Sequence, residues 1–427
     1  MARLKLSSNK SHRKTYLFNF EKDVKRDSGI YAVGDKIVAS PNFVLLTEGD
    51  FTTTKNIPKK IYNVNGKTFI YAQNGQVFLE ENCLATWTSY YQYASQPVIT
   101  EVYHNGILSV LITGKDAQGQ TVSEIYGIGS VDLPNEIGKL TALVDNVFWT
   151  SDGHNLHFSF INCMQSVSQN LCLTNQLFID LNYGQILDLI PLENRLYIVC
   201  KHAILKVIVG AYPIDFKAQR IDTEILNIEE NSVVGAGNNI LFVSNGKLCI
   251  FNGLNIYFKT FFREDEKVEI IDNAGHKDGH YLLPVMHQDG SKNLYCYDVN
   301  CGVRYTLKYF TALSKNSGKA YQDEVGKIAI FTTNLSQNPS NFTCFLQSKS
   351  LNFNSYKPKN LLGLEGKIAG EENLKIKGDF GEYSIKINNA FSEQINLSST
   401  EFLFEISSDN SKMPLENLRL IYRIQGE

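Results

Sequence analysis

Three histidines, His276, His280 and His287, lie close together in the segment GHKDGHYLLPVMHQDG. Imidazole nitrogens are among the ligands that Zn²⁺ prefers, but a zinc site needs ligands that converge on a tetrahedron. Here Asp278 and Gly279 mark a turn, and the helix that gives a His-Glu-x-x-His motif its meaning is absent. We therefore interpret these side chains as ordinary loop histidines and predict no metal site.

Other catalytic templates are also missing from the sequence. It contains no Gly-x-Ser-x-Gly elbow, no Gly-x-x-x-x-Gly-Lys-Ser/Thr loop and no Gly-x-Gly-x-x-Gly motif that follows a strand. Acidic pairs such as Glu229-Glu230 and Glu371-Glu372 have the residue types of a glycosidase, but adjacent acids in polar loops are normally solvated. The sequence thus predicts no catalytic residues, no cofactor and no enzyme.

Cysteine usage gives a weak signal about the cellular compartment. None of the cysteines forms a Cys-x-x-Cys pair, so we interpret them as reduced, mostly buried thiols. Cys296 and Cys301 are near enough to bridge a turn, but no apolar secretory signal supports a disulfide. No run of about twenty apolar residues predicts a membrane-spanning helix. The eight are Cys83, Cys163, Cys172, Cys200, Cys249, Cys296, Cys301 and Cys344.

Short strands joined by tight turns must position whatever site exists. Residues 243–258, VSNGKLCIFNGLNIYF, alternate apolar strands with Asn-Gly pairs, which supply the two positive φ angles of a type I′ hairpin. Residues 64–79, VNGKTFIYAQNGQVFL, repeat the phrase. Aligned on Asn-Gly-Lys, Ile70 falls on Ile250 and Phe78 on Phe258, so we interpret the phrases as copies of one meander.

Strand clusters recur along most of the 427 residues. Each holds three or four strands, and their spacing of about 35–50 residues is typical of propeller blades. Helical periodicity of useful length is scarce. The sequence therefore predicts an all-β fold, a β-propeller of about six or seven blades with a C-terminal β-sandwich. The clusters cover residues 59–88, 98–133, 140–161, 184–218, 232–262, 267–310 and 318–354.

We expect three segments: a basic N-terminal arm at residues 1–20, the propeller at 21–354 and the sandwich at 355–427. From residue 355 apolar and polar residues alternate regularly, as in the last strand LRLIYRIQGE. The arm is either a solvated start of the chain or a segment that reaches a neighbouring subunit or a phosphate backbone. Its basic residues, the candidate partner-binding residues, are Arg3, Lys5, Lys10, Arg13 and Lys14.

Composition excludes few function classes. The chain is 43% hydrophobic and 20% charged, which is the range of a globular protein. A net charge of −3 gives no global attraction to nucleic acid or to an anionic membrane. Charge alone therefore favours neither a nucleic-acid-binding nor a membrane-surface protein.

The order of these features resembles tail proteins of short-tailed bacteriophages. The resemblance is carried by the basic arm, by ILDLIPLENRLYIVCKHAILKVIVGAYPIDF, by VVGAGNNILFVSNGKLCIFNGLNIY and by the terminal LRLIYRIQGE. It points to the nozzle protein, or tail tubular protein B, and to the shorter tail hub once called the packaged DNA stabilisation protein. In length the chain is nearer to the hub.

The resemblance implies a structural virion protein in the phage tail, made in the host cytoplasm. Such proteins form a homohexameric ring below the portal and adaptor proteins, extend the DNA channel and help to retain packaged DNA. Tail fibres, spikes or a needle dock outside, and DNA passes through without sequence-specific binding. On this hypothesis the arm from Arg3 to Lys14 docks on an adjoining ring.

An alternative is a propeller that binds a glycan or a protein, such as a receptor-binding tail component. Its best evidence is the segment TWTSYYQY, which contains Trp87, Tyr90, Tyr91 and Tyr93. Aromatic side chains either pack between blades or, where they are exposed, stack on sugars. Their solvent exposure separates the two interpretations.

Overall fold

The computed structural model describes residues 13–17, 24–28, 30–33, 36–50, 57–81, 86–159, 164–171, 175–221, 226–263, 266–322, 326–333, 344–408 and 415–425. The chain divides into two compact units. One takes in the chain up to Val44, Cys301–Lys308 and Thr332–Glu427, and the other takes in Leu45–Asn300 and Tyr309–Phe331. The fold is all-β, a propeller with a C-terminal β-sandwich, as the sequence predicts.

The first strands of the chain precede the propeller blades. They are β1 (Lys14–Leu17), β2 (Val24–Ser28), β3 (Ile30–Val33), β4 (Lys36–Ala39) and β5 (Asn42–Asp50). Blade one then contains β6 (Pro58–Val64), β7 (Lys67–Ala72), β8 (Gln76–Glu81) and β9 (Thr86–Gln92). Blade two contains β10 (Val98–His104), β11 (Ile107–Lys115), β12 (Thr121–Ile125) and β13 (Gly129–Ser130).

The next blades follow the same antiparallel order. Blade three contains β14 (Leu140–Val144), β15 (Val147–Ser151), β16 (Leu156–Phe158) and β17 (Asn175–Leu177), with the helix α1 (Val167–Asn170) before its last strand. Blade four contains β18 (Ile186–Leu192), β19 (Arg195–Cys200), β20 (Ile204–Ile208) and β21 (Lys217–Arg220). Short 3₁₀ turns span Leu181–Tyr183 and Pro213–Asp215.

Three further sheets complete the ring. Blade five contains β22 (Val234–Ala236), β23 (Asn239–Ser244), β24 (Lys247–Phe251) and β25 (Ile256–Thr260). Blade six contains β26 (Val268–Ile270), β27 (Gly275–Lys277), β28 (His280–His287), β29 (Lys292–Asp298) and β30 (Val303–Lys308). Blade seven contains β31 (Lys319–Gln322) and β32 (Lys327–Thr332), and its sheet order is β31-β32-β5.

The ring is therefore closed by an N-terminal strand. Because β5 pairs with β32, the described residues form seven blades, the upper of the two numbers predicted. The sequence interpretation gave residues 344–354 to the last blade instead, and this was wrong for β33 (Cys344–Ser348), which pairs with β2. A closed ring needs a partner for the edge of its last blade, and the strand that supplies it comes from the other end of the chain.

Hydrophobic cores lie between neighbouring blades. Ile70 and Phe78 of blade one pack with Tyr321 and Ile328 of blade seven, which joins the two ends of the ring. Equivalent buried clusters join blade one to two, two to three, three to four, four to five and five to six. Blades one to five are thus held on both sides, and burial of this apolar surface is the main term that stabilises the ring.

Turn chemistry explains much of the strand pattern. Asn65 and Gly66 have φ angles of 48° and 71°, and Asn245 and Gly246 have 52° and 73°, as a type I′ hairpin requires. However, the first pair joins the first two strands of blade one, whereas the second joins the middle strands of blade five. Residues 64–79 and 243–258 therefore form hairpins of the same kind but do not occupy equivalent positions in their blades. The sequence alone does not distinguish these positions, because any adjacent pair of strands has the same periodicity.

The unit that contains the C-terminal residues holds the sandwich. It adds β34 (Lys359–Gly378), β35 (Gly381–Ser399), β36 (Phe402–Ser408) and β37 (Leu415–Ile424), and its strand order is β2-β33-β36-β34-β37-β4-β3. The first half of β34 pairs with β37 and its second half with β36, across register shifts that let the strand pass between two layers. Leu364, Leu420, Ile376 and Phe404 meet in the core between these layers.

N-terminal residues belong to this sandwich. β2 to β4 lie in its sheet, and β1 pairs with β37, with Lys14 opposite Tyr422. The sequence interpretation placed residues 21–354 in the propeller and ended the arm at residue 20, so it assigned these strands differently. They cover the edges of C-terminal strands, a long-range pairing that local patterns do not reveal.

Candidate functional site

Two faces of the propeller can be distinguished by their turns. Successive antiparallel strands alternate in direction, so the turn between the first and second strands and the connection between the third and fourth lie on one face. We call it the turn face, and the opposite one, which carries the connections between blades, the connection face. Rotation about the ring axis repeats this arrangement in blade after blade.

Exposed apolar side chains gather on the turn face of blades two to five. Ile214 is 90% exposed, Leu254 82% and Met164 73%. Exposed large apolar side chains that share one face of a protein are candidates for an interaction surface. This surface is therefore the first candidate functional site. Its members, which we call the apolar arc, are Ile107, Ile128, Met164, Tyr212, Ile214 and Leu254.

Two connections of the arc, those of blades three and four, pack on the preceding blade. The connection of blade three packs on the first turn of blade two, where the Val167 N–H donates to His104 Nδ1 at 3.2 Å and Met164 lies beside Gly106. That of blade four is anchored by Phe216, whose ring stacks on Phe158 of blade three at 4.9 Å. These contacts join neighbouring blades of the arc across the turn face.

The axial channel is the second candidate site. A cavity of about 270 Å³ is lined from several blades and adjoins one of about 530 Å³ that shares many of its residues. Lys315 donates to Asp188 Oδ2 at 2.6 Å, and the Leu189 N–H donates to Asp188 Oδ1 at 3.0 Å. Charged groups from distant parts of the sequence thus meet at the axis.

Burial changes the acid–base behaviour of the channel groups. Desolvation lowers the pKa of Lys60, and the neighbouring charge of Lys315 lowers it further. Desolvation also raises the pKa of Asp272, although the Asn273 N–H donates to it. Both shifts favour the neutral forms, as expected where water is partly excluded. No motif predicts this cluster, because Lys60, Lys315 and the two aspartates are far apart in the chain.

A wider cleft of about 1080 Å³ lies between blades five and six. At its wall the Tyr295 hydroxyl donates to Glu266 Oε1 at 3.1 Å and lies 3.4 Å from His287 Nε2. Tyr295 is only 2% exposed, so the network holds a buried ring in place rather than presenting a reactive group to the cleft. We assign it a structural role.

The three histidines of the sequence analysis lie on two strands of blade six. His276 is on β27, whereas His280 and His287 lie at opposite ends of β28, on the order of 24 Å apart at the usual rise per residue. Asp278 and Gly279 form the expected turn, with φ angles of 50° and 83°. Among the residues that the structure describes, no three His, Cys, Asp or Glu side chains are placed to hold a metal ion.

Two of these histidines should make stability depend on pH. Burial lowers the pKa of His280, which is 4% exposed, and that of His276. Below about pH 6.5 the unfolded chain therefore binds more protons than the folded protein, and the free energy of unfolding should fall on acidification. We expect urea titrations between about pH 7.5 and 5.5 to show this fall, with a smaller slope in His280→Gln.

The matched control is His154→Gln, because His154 is exposed in a turn of blade three. This variant should keep the slope of the natural protein. An equal slope in His280→Gln and in the natural protein would contradict the assignment of the pH dependence to the buried imidazole.

The remaining sequence candidates are dispersed. Arg3, Lys5 and Lys10 lie outside the described residues, Arg13 is exposed, and Lys14 is half-buried in β1. Tyr93 is buried and its ring lies 4.6 Å from that of Tyr91, which is partly exposed.

The side chains of Trp87 and Tyr90 also lie outside the described residues. Tyr93 therefore packs in the core, and of the described aromatic side chains in this segment Tyr91 alone is accessible to a ligand.

Two other expectations concern thiols and membranes. Cys200, Cys249 and Cys296 are buried, as expected, whereas Cys301 is exposed, and none of these four forms a disulfide. Burial raises the pKa of Cys249 to about 12, which makes it an unreactive thiol. Across the described ranges, no helix has the length and apolar character needed to cross a membrane.

Comparison with known proteins finds only distant structural likenesses. No family model and no curated protein matches the chain. Among solved structures, YCF48 bound to D1 peptide is 10% identical over 70% of this chain and 97% of its own, with a TM-score of 0.44. BamB from Moraxella catarrhalis is 9% identical over 69% and 96%, with a TM-score of 0.34.

The computationally designed Ika8 protein is 11% identical over 72% of this chain and 86% of its own, with a TM-score of 0.38. Likenesses at these identities and scores carry no inference about activity or partners.

Proposed function

We propose that this protein is a structural component of a bacteriophage tail, a hub or nozzle subunit that assembles into a homohexameric ring below the portal and adaptor. The observation that carries the proposal is the apolar arc, since it supports a role in docking on other proteins. The assembly itself is inferred from the resemblance of the sequence to short-tailed phage proteins. Fibres, spikes or a needle would dock outside the ring, and DNA would pass through it.

The exposure of the arc suits a contact with another protein. Its six side chains are each at least 60% exposed, and they come from four consecutive blades. The connections of blades three and four, which carry Met164, Tyr212 and Ile214, are anchored on the preceding blades. A preorganised surface loses little conformational entropy on binding, which favours assembly.

The binding alternative is less well supported. A glycan platform in residues 87–93 needs several exposed aromatic faces, and Tyr93 is buried. Of the side chains that the structure describes in this segment, Tyr91 alone offers an accessible ring, and recognition of sugars by stacking uses accessible aromatic faces. The observations therefore favour a protein partner over a glycan.

Electron microscopy of the purified protein, with and without the cognate portal–adaptor complex, tests the assembly. A six-fold ring, or a ring that forms only on the adaptor, is the expected result. A monomer that ignores the adaptor would contradict the tail-hub proposal and would leave a binding propeller.

Charge on the apolar arc should prevent this association. We expect the double variant Tyr212→Asp, Ile214→Asp to lose about 2 kcal/mol or more of association free energy, a factor of about 30, because buried aspartates would lack partners. Both side chains are exposed in the subunit, so folding stability should change by less than about 0.5 kcal/mol. Association is measured by light scattering over a concentration series.

The matched control is Phe178→Asp, Leu181→Asp, which changes two equally exposed apolar side chains on the connection face. It should associate as the natural protein does. Equal association of both double variants would show that the apolar arc is not the docking surface.

A further inference from the structure

We propose that the axial channel binds a small oxyanion, a phosphate or carboxylate group, through the ammonium groups of Lys60, Lys139 and Lys315. This site is separate from the apolar arc and does not depend on assembly of the protein. Lys60 lies in β6 of blade one. Lys139 immediately precedes β14 of blade three, and Lys315 lies shortly before β31 of blade seven. All three line the cavity of about 270 Å³.

The charges of this cavity are not balanced by its own ion pairs. Lys315 is paired with Asp188, with 2.6 Å between Nζ and Oδ2. Among the described residues, by contrast, neither Lys60 nor Lys139 has a carboxylate oxygen within ion-pair distance of its ammonium group. Lys60 is half-buried and feels the charges of Asp272 and Asp188, whereas Lys139 is exposed. Both line the same cavity.

The acidic groups of the cavity only partly compensate. Burial raises the pKa of Asp272, which weakens its contribution of negative charge. Glu230 also lines the cavity but is exposed, so water screens it. Lys59 also lines the cavity, so four lysines face three carboxylates, and this excess of positive charge attracts an anion. An oxyanion that accepts from Lys60 would supply the partner that this half-buried ammonium group lacks.

The polar lining fits an oxyanion better than a cation or an apolar ligand. Gln96 and Asn231 add amide donors to the three lysines. The volume admits phosphate or a small organic acid, and it is far too small for a nucleic-acid strand. An acidic side chain of a partner protein presents the same group as a free organic acid. We therefore assign the site to the group itself, a carboxylate or a phosphate.

Calorimetric titration of the full chain in a buffer without phosphate tests the site, with inorganic phosphate and citrate as probes. We expect saturable binding of at least one probe. Comparison of the affinities for phosphate and for citrate then distinguishes a phosphate ligand from a carboxylate ligand. Affinity should fall as sodium chloride is added. Lys60→Met and Lys139→Met should each weaken binding about tenfold, because each removes one charge-assisted hydrogen bond.

Lys60→Arg keeps the charge and should bind within a few-fold of the natural protein. The matched control is Lys247→Met, since Lys247 is exposed at a turn and does not line the cavity. Circular dichroism checks that each variant is folded. Absence of saturable binding with both probes, or unchanged affinity in both methionine variants at the cavity, would overturn the proposal.

Discussion

Replacement of Trp149 by alanine should cost about 3–5 kcal/mol of unfolding free energy, the range for loss of a large buried aromatic side chain. Trp149 is 1% exposed in β15 of blade three. Its ring lies 4.8 Å from that of Phe158 and 6.0 Å from that of Phe216, which comes from blade four. The cavity would therefore open in the core that joins two blades.

The same replacement should also disturb the apolar arc. Phe216 ends the connection that carries Tyr212 and Ile214, so loss of the ring against which it packs should loosen this connection. Urea unfolding measures the first effect, and proteolysis of the connection under native conditions measures the second.

Two controls separate these effects. Trp149→Phe keeps an aromatic ring and should cost less than about 1.5 kcal/mol if neighbours repack, and Tyr212→Ala at an exposed position should cost less than about 0.5 kcal/mol. A free energy of unfolding for Trp149→Ala within about 1 kcal/mol of that of the natural protein would correspond to the loss of only one buried methylene group. This result would show that the inter-blade core does not hold blades three and four together.

Local chemistry made much of the propeller predictable. The sequence predicts turns at Asn245-Gly246 and Asp278-Gly279, and the backbone has positive φ at these positions. Alternating apolar residues between such turns identified the strands, since a half-buried strand repeats every two residues. Blade count followed from the spacing of the clusters, although the last cluster was assigned in part to the wrong sheet.

Long-range pairing could not be predicted in the same way. The hairpins at 65–66 and 245–246 have the same local sequence but lie at different positions in their blades. Likewise, nothing in Asn42–Asp50 indicates that it pairs with a strand near residue 330. Partner choice depends on edges that exist only after the rest of the ring has folded.

The candidate sites were hidden for a related reason. Ile214 and Leu254 have the same residue types as core strand positions, and only the structure shows that they are exposed. Lys60, Lys139 and Lys315 have no common motif, because a propeller brings one residue from each of several blades to its axis. Sequence patterns report neighbours along the chain, whereas these sites consist of neighbours around a ring.

Closure of the ring provides the second large effect. A chain without residues 1–50 lacks β5 and leaves the edge of β32 without the strand that covers it. Unpaired edges expose backbone donors and acceptors and promote association of chains through their sheets. We expect this truncation to lose cooperative unfolding of the propeller, a loss comparable with the stability of a whole domain, about 5–15 kcal/mol.

Tryptophan fluorescence reports the outcome, because Trp87 and Trp149, the two tryptophans of the chain, both lie within the propeller unit. The decisive comparison is with a chain that lacks residues 1–41, which loses β1 to β4 but keeps β5 (Asn42–Asp50). This longer chain should retain a cooperative fluorescence transition. If both truncations unfold alike, the contribution of the N-terminal segment comes from the sandwich strands and not from closure of the ring, because only β5 differs between them.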